Sequence, residues 1–186
     1  MSFEPSTERA VRISSACSEP FACERFKLGR RSPGPVSDDE YLNLIITDPQ
    51  AIDRRSGKLL PILLKQIDEK GVSVLRDGAT NKEFEITYEQ MKSGSDAKGK
   101  PRFWHGVCRF PARNLRYDGC QRRLGIYDTP LPDRRHHADI IAPPLDTRRE
   151  REARQKRIID EIGSSIIPVE KFRDGSLSRH ARSEVS

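Results

Sequence analysis

The supply of strongly apolar side chains is the feature that most limits what this chain can fold into. Leucine, isoleucine, valine and phenylalanine together account for 42 of the 186 residues, about 23%. Chains in which this share falls below about 20% are typically disordered, and a single domain commonly has about 100–150 residues. The sequence therefore predicts one modest hydrophobic core with further segments outside it.

Turn residues and apolar runs divide the chain into three parts. Residues 1–36 mix serine, proline, glycine and arginine without a sustained period, which predicts an irregular N-terminal arm. Residues 37–144 predict a compact α+β domain with a small mixed or antiparallel sheet and a few short helices. Pro143 and Pro144 end this part because proline cannot donate to a hydrogen-bond ladder. Residues 145–186 predict a charged, basic helix followed by a loosely ordered tail.

Within the central part, β-branched and apolar runs between turn signals predict short strands. The predicted strands are residues 41–46, 72–75, 103–110, 124–127 and 138–141. Apolar residues at helical spacing predict a short buried helix at 59–67, a brief helix at 87–91 and the charged helix at 147–162. Ser37 and Glu40 have the spacing of a capping box, so we expect the ordered domain to begin there.

Charge and hydropathy narrow the functional classes. Charged residues make up 33% of the chain with a net charge of +6, which favours polyanionic partners. No window approaches the roughly 18 apolar residues of a membrane helix, and the first residues lack the apolar run of a signal peptide. The sequence therefore predicts a cytoplasmic protein that does not contact a membrane, and its four cysteines are expected to stay reduced.

Three short motifs resemble those of a family of small bacterial proteins without an assigned activity. They are the acidic opening DDEYL at 38–42, the GVSVLR strand at 71–76 and the PDRRHHADI ending at 132–140. That family often carries a pair of arginines after the opening, where this chain has Asn43 to Ile46. The resemblance implies a bacterial or phage-related origin and a compact α+β domain, and it implies no reaction.

Residues 98–123 concentrate positive charge. Eight lysines and arginines face a single aspartate there, a balance of +7, and Phe103, Trp104, Phe110 and Tyr117 are interleaved with them. Single-stranded nucleic acid is commonly held by cations that neutralise phosphates beside rings that stack on bases. The alternative is that the rings belong to the core and the arginines form a solvated face. The predicted nucleic-acid contacts are Lys98, Lys100, Arg102, Trp104, Arg109, Arg113, Arg116, Tyr117, Arg122 and Arg123.

Histidines near this basic segment suggest a second hypothesis. His105, His136 and His137 are three of the four histidines, and a neutral imidazole can carry a proton in phosphodiester or glycosyl chemistry. Arg76, with Ser73 on the same predicted strand, loosely resembles the arrangement in enzymes that transfer ADP-ribose. The alternative is that these histidines stabilise the fold.

The cysteines suggest a third hypothesis. Cys17, Cys23, Cys108 and Cys120, with or without His105, supply enough ligands for a tetrahedral zinc site. Their spacings are longer than the two to four residues of common zinc knuckles, so buried free thiols are the alternative. We expect no other cofactor.

The helix at 147–162 is predicted to contact a partner protein. Ile158, Ile159 and Ile162 lie on one side near its end, and its first turns are almost wholly charged. We expect a chain that ends at Pro144 to keep a similar unfolding midpoint, because so short an apolar stripe would contribute little to the core.

Together these patterns predict a binding module of a bacterial multi-protein or defence-type system, which contacts nucleic acid, a partner protein or both. One alternative is a small enzyme that processes a nucleotide or nucleic acid, by ADP-ribosyl transfer or as a nuclease. Another is a zinc-stabilised adaptor.

Overall fold

The computed structural model describes residues 21–25, 32–49, 51–53, 55–118, 121–162 and 166–173. The strands are β1 (Tyr41–Asp48), β2 (Val72–Arg76), β3 (Phe103–Pro111), β4 (Tyr117–Asp118), β5 (Gln121–Arg122), β6 (Gly125–Asp128), β7 (His137–Ile141) and β8 (Ile166–Pro168). The α-helices are α1 (Asn81–Asp96), α2 (Ala112–Arg116), α3 (Arg148–Ile162) and α4 (Val169–Arg173), and 3₁₀ helices span Ala22–Arg25 and Pro61–Leu64.

A six-stranded antiparallel sheet organises these elements, in the order β6-β7-β2-β1-β3-β8. The predicted α+β class is therefore confirmed. The apolar run of β1 is buried on both faces, because helices pack on both sides of the sheet. All five predicted strands are present, and β8 adds a short edge strand that the sequence analysis did not predict.

One face of the sheet carries the larger hydrophobic core. Leu42, Leu44 and Ile46 of β1 pack there with side chains from the neighbouring strands, the helix at Pro61–Leu64 and α3. A smaller cluster lies on the opposite face beneath α1 and α4. Its buried members are Ile45, Leu75, Phe84, Trp104, Val107 and Phe172.

Helix α1 is longer than the brief helix predicted at 87–91. Thr80 caps its N-terminus: the Thr80 hydroxyl accepts a hydrogen bond from the Glu83 backbone N–H, and the Glu83 carboxylate accepts one from the Thr80 N–H. This T-x-x-E capping box is visible in the sequence and marks the true start of the helix. The similar spacing at Ser37 and Glu40 precedes a strand instead.

The predicted partner surface on α3 is buried in the structure. Ile158, Ile159 and Ile162 are not presented to a partner, since they are 0%, 6% and 2% exposed within the larger core. The Cys108 thiol also donates to the Ile162 carbonyl at 2.9 Å. These three side chains cover one apolar face of the sheet, which would otherwise be exposed to water. The helix therefore belongs to the folded body, while residues 174–186 lie outside the described part of the chain.

The described pieces of the predicted N-terminal arm are docked on the domain. Phe21 and Val36 are buried. The Glu24 carboxylate accepts a hydrogen bond from the backbone N–H of Ile126, on the outer strand β6. Among the residues that the structure describes, no helix combines the length and the apolar character needed to cross a membrane.

Candidate functional site

The arginines of the predicted basic segment are mostly engaged in ion pairs. Arg109 contacts Asp77 at 2.6 Å, and its guanidinium lies 4.4 Å from the centre of the Tyr41 ring. Arg113 contacts Asp39 at 2.9 Å, although both of these side chains are exposed. The positive charge of these two arginines is therefore balanced locally by carboxylates that lie far away in the sequence.

Arg116 is buried and ties the N-terminal segment to the domain. Its guanidinium donates to the Asp38 carboxylate and to the Val36 carbonyl, the latter at 2.6 Å, and lies 3.6 Å from the Glu24 carboxylate. The Tyr117 hydroxyl, nearby, donates to Asp38 at 3.4 Å. Arg116 thus acts as a structural cation, and its charge does not reach solvent.

Arg123 links two helices in a similar way. It forms two hydrogen bonds with the Glu161 carboxylate of α3, and it donates to the backbone carbonyls of Asn114 and Leu115 of α2. The Arg122 side chain lies outside the described atoms. Sequence reasoning did not detect this pairing because Glu161 lies 38 residues further along the chain.

Two lysines of the segment remain exposed. Lys98 and Lys100 lie in the turn that follows α1, and within the described part of the chain neither ammonium group pairs with a carboxylate. Arg102, the next cation, is half-buried, and its carbonyl accepts a hydrogen bond from Tyr88 at 3.2 Å. Among the described cations of the segment, those that are exposed and lack a carboxylate partner therefore lie at its start.

A β-bulge between β1 and β3 lies among the aromatic residues that follow Arg102. The register between β1 and β3 shifts between Ile46 and Thr47, so that Trp104 lies opposite Thr47. Trp104 is buried, with its ring 5.4 Å from Tyr88 and 5.6 Å from Phe172. Bulges commonly redirect one side chain in this way. Of the other predicted aromatic residues, Phe110 is buried in the larger core.

Phe103 and His105, on either side of this tryptophan, are exposed. The Phe103 side chain is 61% exposed, which among the described residues makes it one of two exposed large hydrophobic side chains. His105 is also exposed. We call Lys98, Lys100, Phe103 and His105 the β3 tip. It combines two cations with two accessible rings.

Three of the four predicted catalytic residues are neighbours through their backbones, but their side chains bind different groups. The Arg76 backbone N–H donates to the His136 carbonyl at 2.8 Å, and His137 lies opposite Leu75 in the sheet. His105 lies near the other end of β3. It is five residues, or about 17 Å, along that strand from Phe110, which pairs with Leu42 beside Arg76. A site built from all four residues is therefore not formed.

His137 is held inside the fold. Its Nδ1 lies 2.9 Å from the Thr129 carbonyl and 3.0 Å from the Thr129 hydroxyl. Burial lowers the pKa of His137, although the Asp139 carboxylate, 3.9 Å from Nε2, opposes this shift. The Thr129 and Ser73 hydroxyls donate to Asp139 at 2.8 and 3.0 Å. This cluster keeps a neutral imidazole and satisfies a buried carboxylate.

His136 connects β7 to the start of α1. Its Nδ1 lies 3.1 and 3.2 Å from the two Glu83 carboxylate oxygens, and its backbone N–H donates to the same carboxylate at 2.9 Å. Burial raises the pKa of Glu83, but hydrogen bonds from Thr80 and His136 outweigh burial and hold it below its ordinary value. The His136 Nε2 faces Gly78, where a Cβ would approach to 2.8 Å. The pair thus joins two elements of the fold.

Arg76 is the centre of a buried charge network. Its guanidinium donates to both Glu40 carboxylate oxygens at 2.6 and 2.7 Å, to Asp128 at 2.8 Å and to the Gly34 carbonyl at 2.6 Å. Asp128 also accepts a hydrogen bond from the Ser32 hydroxyl. Burial lowers the pKa of Arg76, but its two carboxylate partners outweigh burial and raise it. The guanidinium is therefore a structural cation that fastens the N-terminal segment.

The predicted zinc ligands are only partly described. Cys17 and Cys120 lie outside the described residues, as does the Cys23 side chain. Cys108 is buried, and burial raises the pKa of its thiol to about 12. Among the described residues, no group of three histidine, cysteine, aspartate or glutamate side chains is placed to hold a metal ion.

Comparison with known proteins adds no relative from which a role could be transferred. No family model matches the chain, and no curated protein or solved structure matches it. The β3 tip is therefore interpreted from its own chemistry.

Proposed function

We propose that this protein is a nucleic-acid-binding module and that the β3 tip is its contact surface. The observation that carries this proposal is the exposure of Phe103, a large aromatic side chain that follows two exposed lysines by five and three residues. Neither lysine has a carboxylate partner in the described structure. A single exposed apolar residue is common on protein surfaces. An exposed ring can stack on a base, and nearby cations can neutralise phosphates.

The two kinds of side chain match the two parts of a nucleotide. The ammonium groups of Lys98 and Lys100 can neutralise phosphates and release bound counterions. The rings of Phe103 and His105 offer flat surfaces for bases. Within residues 94–105, three cations face one carboxylate, Asp96, and the net charge of +6 adds a general attraction for polyanions.

The proposal narrows the interface that the sequence suggested. Arg116 and Arg123 stabilise the fold, so their replacement would test stability more than binding. Arg109 and Arg113 have carboxylate partners that balance their charge. The enzyme hypothesis stays a prediction. The described contacts of His136 and His137 connect parts of the fold.

Binding of a fluorescein-labelled mixed-sequence oligonucleotide, measured by anisotropy across a salt series, tests the proposal. We expect affinity to fall as salt rises. The variant K98Q/K100Q should reduce the slope of log Kd against log salt by up to about 2, since each phosphate contact contributes about 0.7–0.9.

A matched control removes the same charge elsewhere. Lys82 and Arg135 are exposed. Lys82 lies about 21 Å along α1 from Asp96, and Arg135 precedes His136, which contacts Glu83 in the first turn of α1. The K82Q/R135Q variant should keep the wild-type slope. Equal losses in both variants would show that binding follows net charge alone, and absence of wild-type binding at low salt would refute the proposed function.

A further inference from the structure

We propose that residues 166–173 form a C-terminal clasp whose docking positions Phe103, so that closure of the clasp and ligand binding at the β3 tip favour each other. The clasp consists of β8 and α4. This inference rests on the proposed function and adds a means of regulation to the same surface.

The clasp fastens to β3 immediately after the last residue of the tip. Its strand pairs with residues 106–108 of β3. Gly106 permits this close approach, since a Cβ at that position would lie 2.4 Å from the Ile167 carbonyl oxygen. The helix of the clasp then places Phe172 in the smaller core.

Phe172 packs against the tryptophan that follows Phe103. Measured between ring centres, Phe172 lies 4.3 Å from Phe84 and 5.6 Å from Trp104. On α1, the Tyr88 ring lies 5.4 Å from the Trp104 ring. Aromatic pairs at such distances attract each other. Trp104 is therefore held by α4 as well as by α1.

The position of Phe103 depends on its two neighbours in the chain. Its own side chain is 61% exposed, so burial contributes little to holding it. On one side, the Arg102 carbonyl accepts a hydrogen bond from the Tyr88 hydroxyl at 3.2 Å. On the other side, Trp104 packs against rings of α1 and α4. Opening of the clasp would remove the α4 contact, and a side chain that must be ordered during binding binds more weakly.

The clasp has the properties of a segment that opens locally. Phe172 is its one buried side chain among those that the structure describes, and its ladder with β3 covers three residues. Segments with few buried contacts open at a lower free energy than the whole domain. The clasp can therefore be closed or open while the rest of the sheet stays folded.

Closure and binding are linked thermodynamically. If the closed state binds a ligand more tightly than the open state, a saturating ligand shifts the clasp toward closure by the same factor. Coupling of this kind is usually about 5-fold to 150-fold. One factor must therefore describe both the loss of affinity on opening and the protection of the clasp by the ligand.

Hydrogen exchange of the wild-type protein, followed by mass spectrometry, tests this linkage without any substitution. The fluorescein-labelled mixed-sequence oligonucleotide at low salt should slow exchange in residues 166–173 by about 5-fold to 150-fold. The slowing should reach a plateau as the oligonucleotide concentration rises, because the open state still binds it. Amides exposed only by global unfolding gain protection without such a plateau. Unchanged exchange in the clasp, or slowing without a plateau, would refute the linkage.

Phe172→Ala and Gly106→Ala open the clasp from its two sides. Each should shift the emission of Trp104, the chain's single tryptophan, to longer wavelength and weaken oligonucleotide binding by up to the plateau factor. The slope of log Kd against log salt should stay that of the wild type, because neither substitution removes a charge. Phe172→Leu keeps an apolar side chain in the cluster and should retain most of the affinity.

A double substitution tests whether the clasp acts through Phe103. In a Phe103→Ala background, Phe172→Ala should weaken binding no further, because the side chain that the clasp positions is already gone. Additive losses would show that Phe172 affects binding by another route and would refute the positioning of Phe103.

Ile158→Ala is the matched control for stability. It truncates a fully buried side chain of the larger core, on the other face of the sheet from Phe172. At a temperature where every variant is folded, it should bind as the wild type does, and an equal loss in both variants would refute positioning. If the clasp is protected but Phe172→Ala binds normally, the oligonucleotide contacts the clasp directly and positioning is likewise refuted. If the wild type binds no oligonucleotide at low salt, the proposed function itself fails.

Discussion

Replacing Arg76 with methionine should destabilise the protein strongly. Methionine retains much of the length of the arginine stem but removes the guanidinium. The change removes hydrogen bonds to Glu40, Asp128 and Gly34. It leaves Asp128, whose side chain is 0% exposed, without its cation.

The magnitude follows from the burial of the partners. Removing one member of a buried ion pair costs about 3–5 kcal/mol, because the remaining charge stays buried without compensation. Total stabilities are about 5–15 kcal/mol. For a chain of this size, each kcal/mol lowers the melting temperature by about 2–4 °C, so we expect a decrease of about 6–20 °C.

Arg109→Met provides the matched control. This arginine also projects from the sheet and contacts one aspartate, but Asp77 is 44% exposed, and such pairs contribute about 1 kcal/mol or less. Urea unfolding monitored by circular dichroism would compare the two variants under identical conditions.

A second substitution tests the cause of the loss. In the Arg76→Met background, Asp128→Asn removes the buried charge and should recover part of the stability. The reasoning is refuted if Arg76→Met costs no more than Arg109→Met, or if Asp128→Asn lowers stability further by the amount expected for an independent site.

Three further results are expected. The pKa of Glu83 lies below its ordinary value, so the stability that its ionised form contributes is present above about pH 4.3 and is lost as pH falls through the lowered pKa. The difference in urea midpoint between wild type and Glu83→Gln should therefore shrink in acid, and a difference independent of pH would contradict this. Ile158→Ala should lower the free energy of unfolding by about 2–5 kcal/mol, and truncation after Pro144 should lower the melting temperature or the solubility. An unchanged unfolding midpoint in the truncated chain would show that α3 is dispensable for folding. Cys108, with a pKa of about 12, should be alkylated only after unfolding, and peptide mapping that found rapid labelling of the native protein would show that the thiol is accessible.

Local patterns predicted the elements whose signal lies within a few residues. The β-branched run Val72 to Leu75 and the alternation of 103–110 gave β2 and β3, and helix formers before Gly163 gave α3. The missed start of α1 was also local, since Thr80 and Glu83 form a recognisable capping box.

Distant pairings could not be predicted in the same way. The charge balance of 98–123 was counted within the segment, but Arg109 and Arg116 find carboxylates 32 and 78 residues away. Only the sheet topology brings these groups together. The bulge that buries Trp104 and exposes Phe103 likewise depends on pairing with β1, so the sequence identified the region of the candidate interface but not which of its residues are accessible.

The buried network around Arg76 has a consequence for the order of folding during synthesis. Ser32 and Asp128 are 96 residues apart, and ribosomes add about 5–20 residues per second. Roughly 5–20 s therefore pass before the carboxylate that completes the network exists. Until then the network lacks Asp128, and the sheet lacks β6 and β7. Docking of that segment is consequently a late step, which can follow only after most of the domain has left the ribosome.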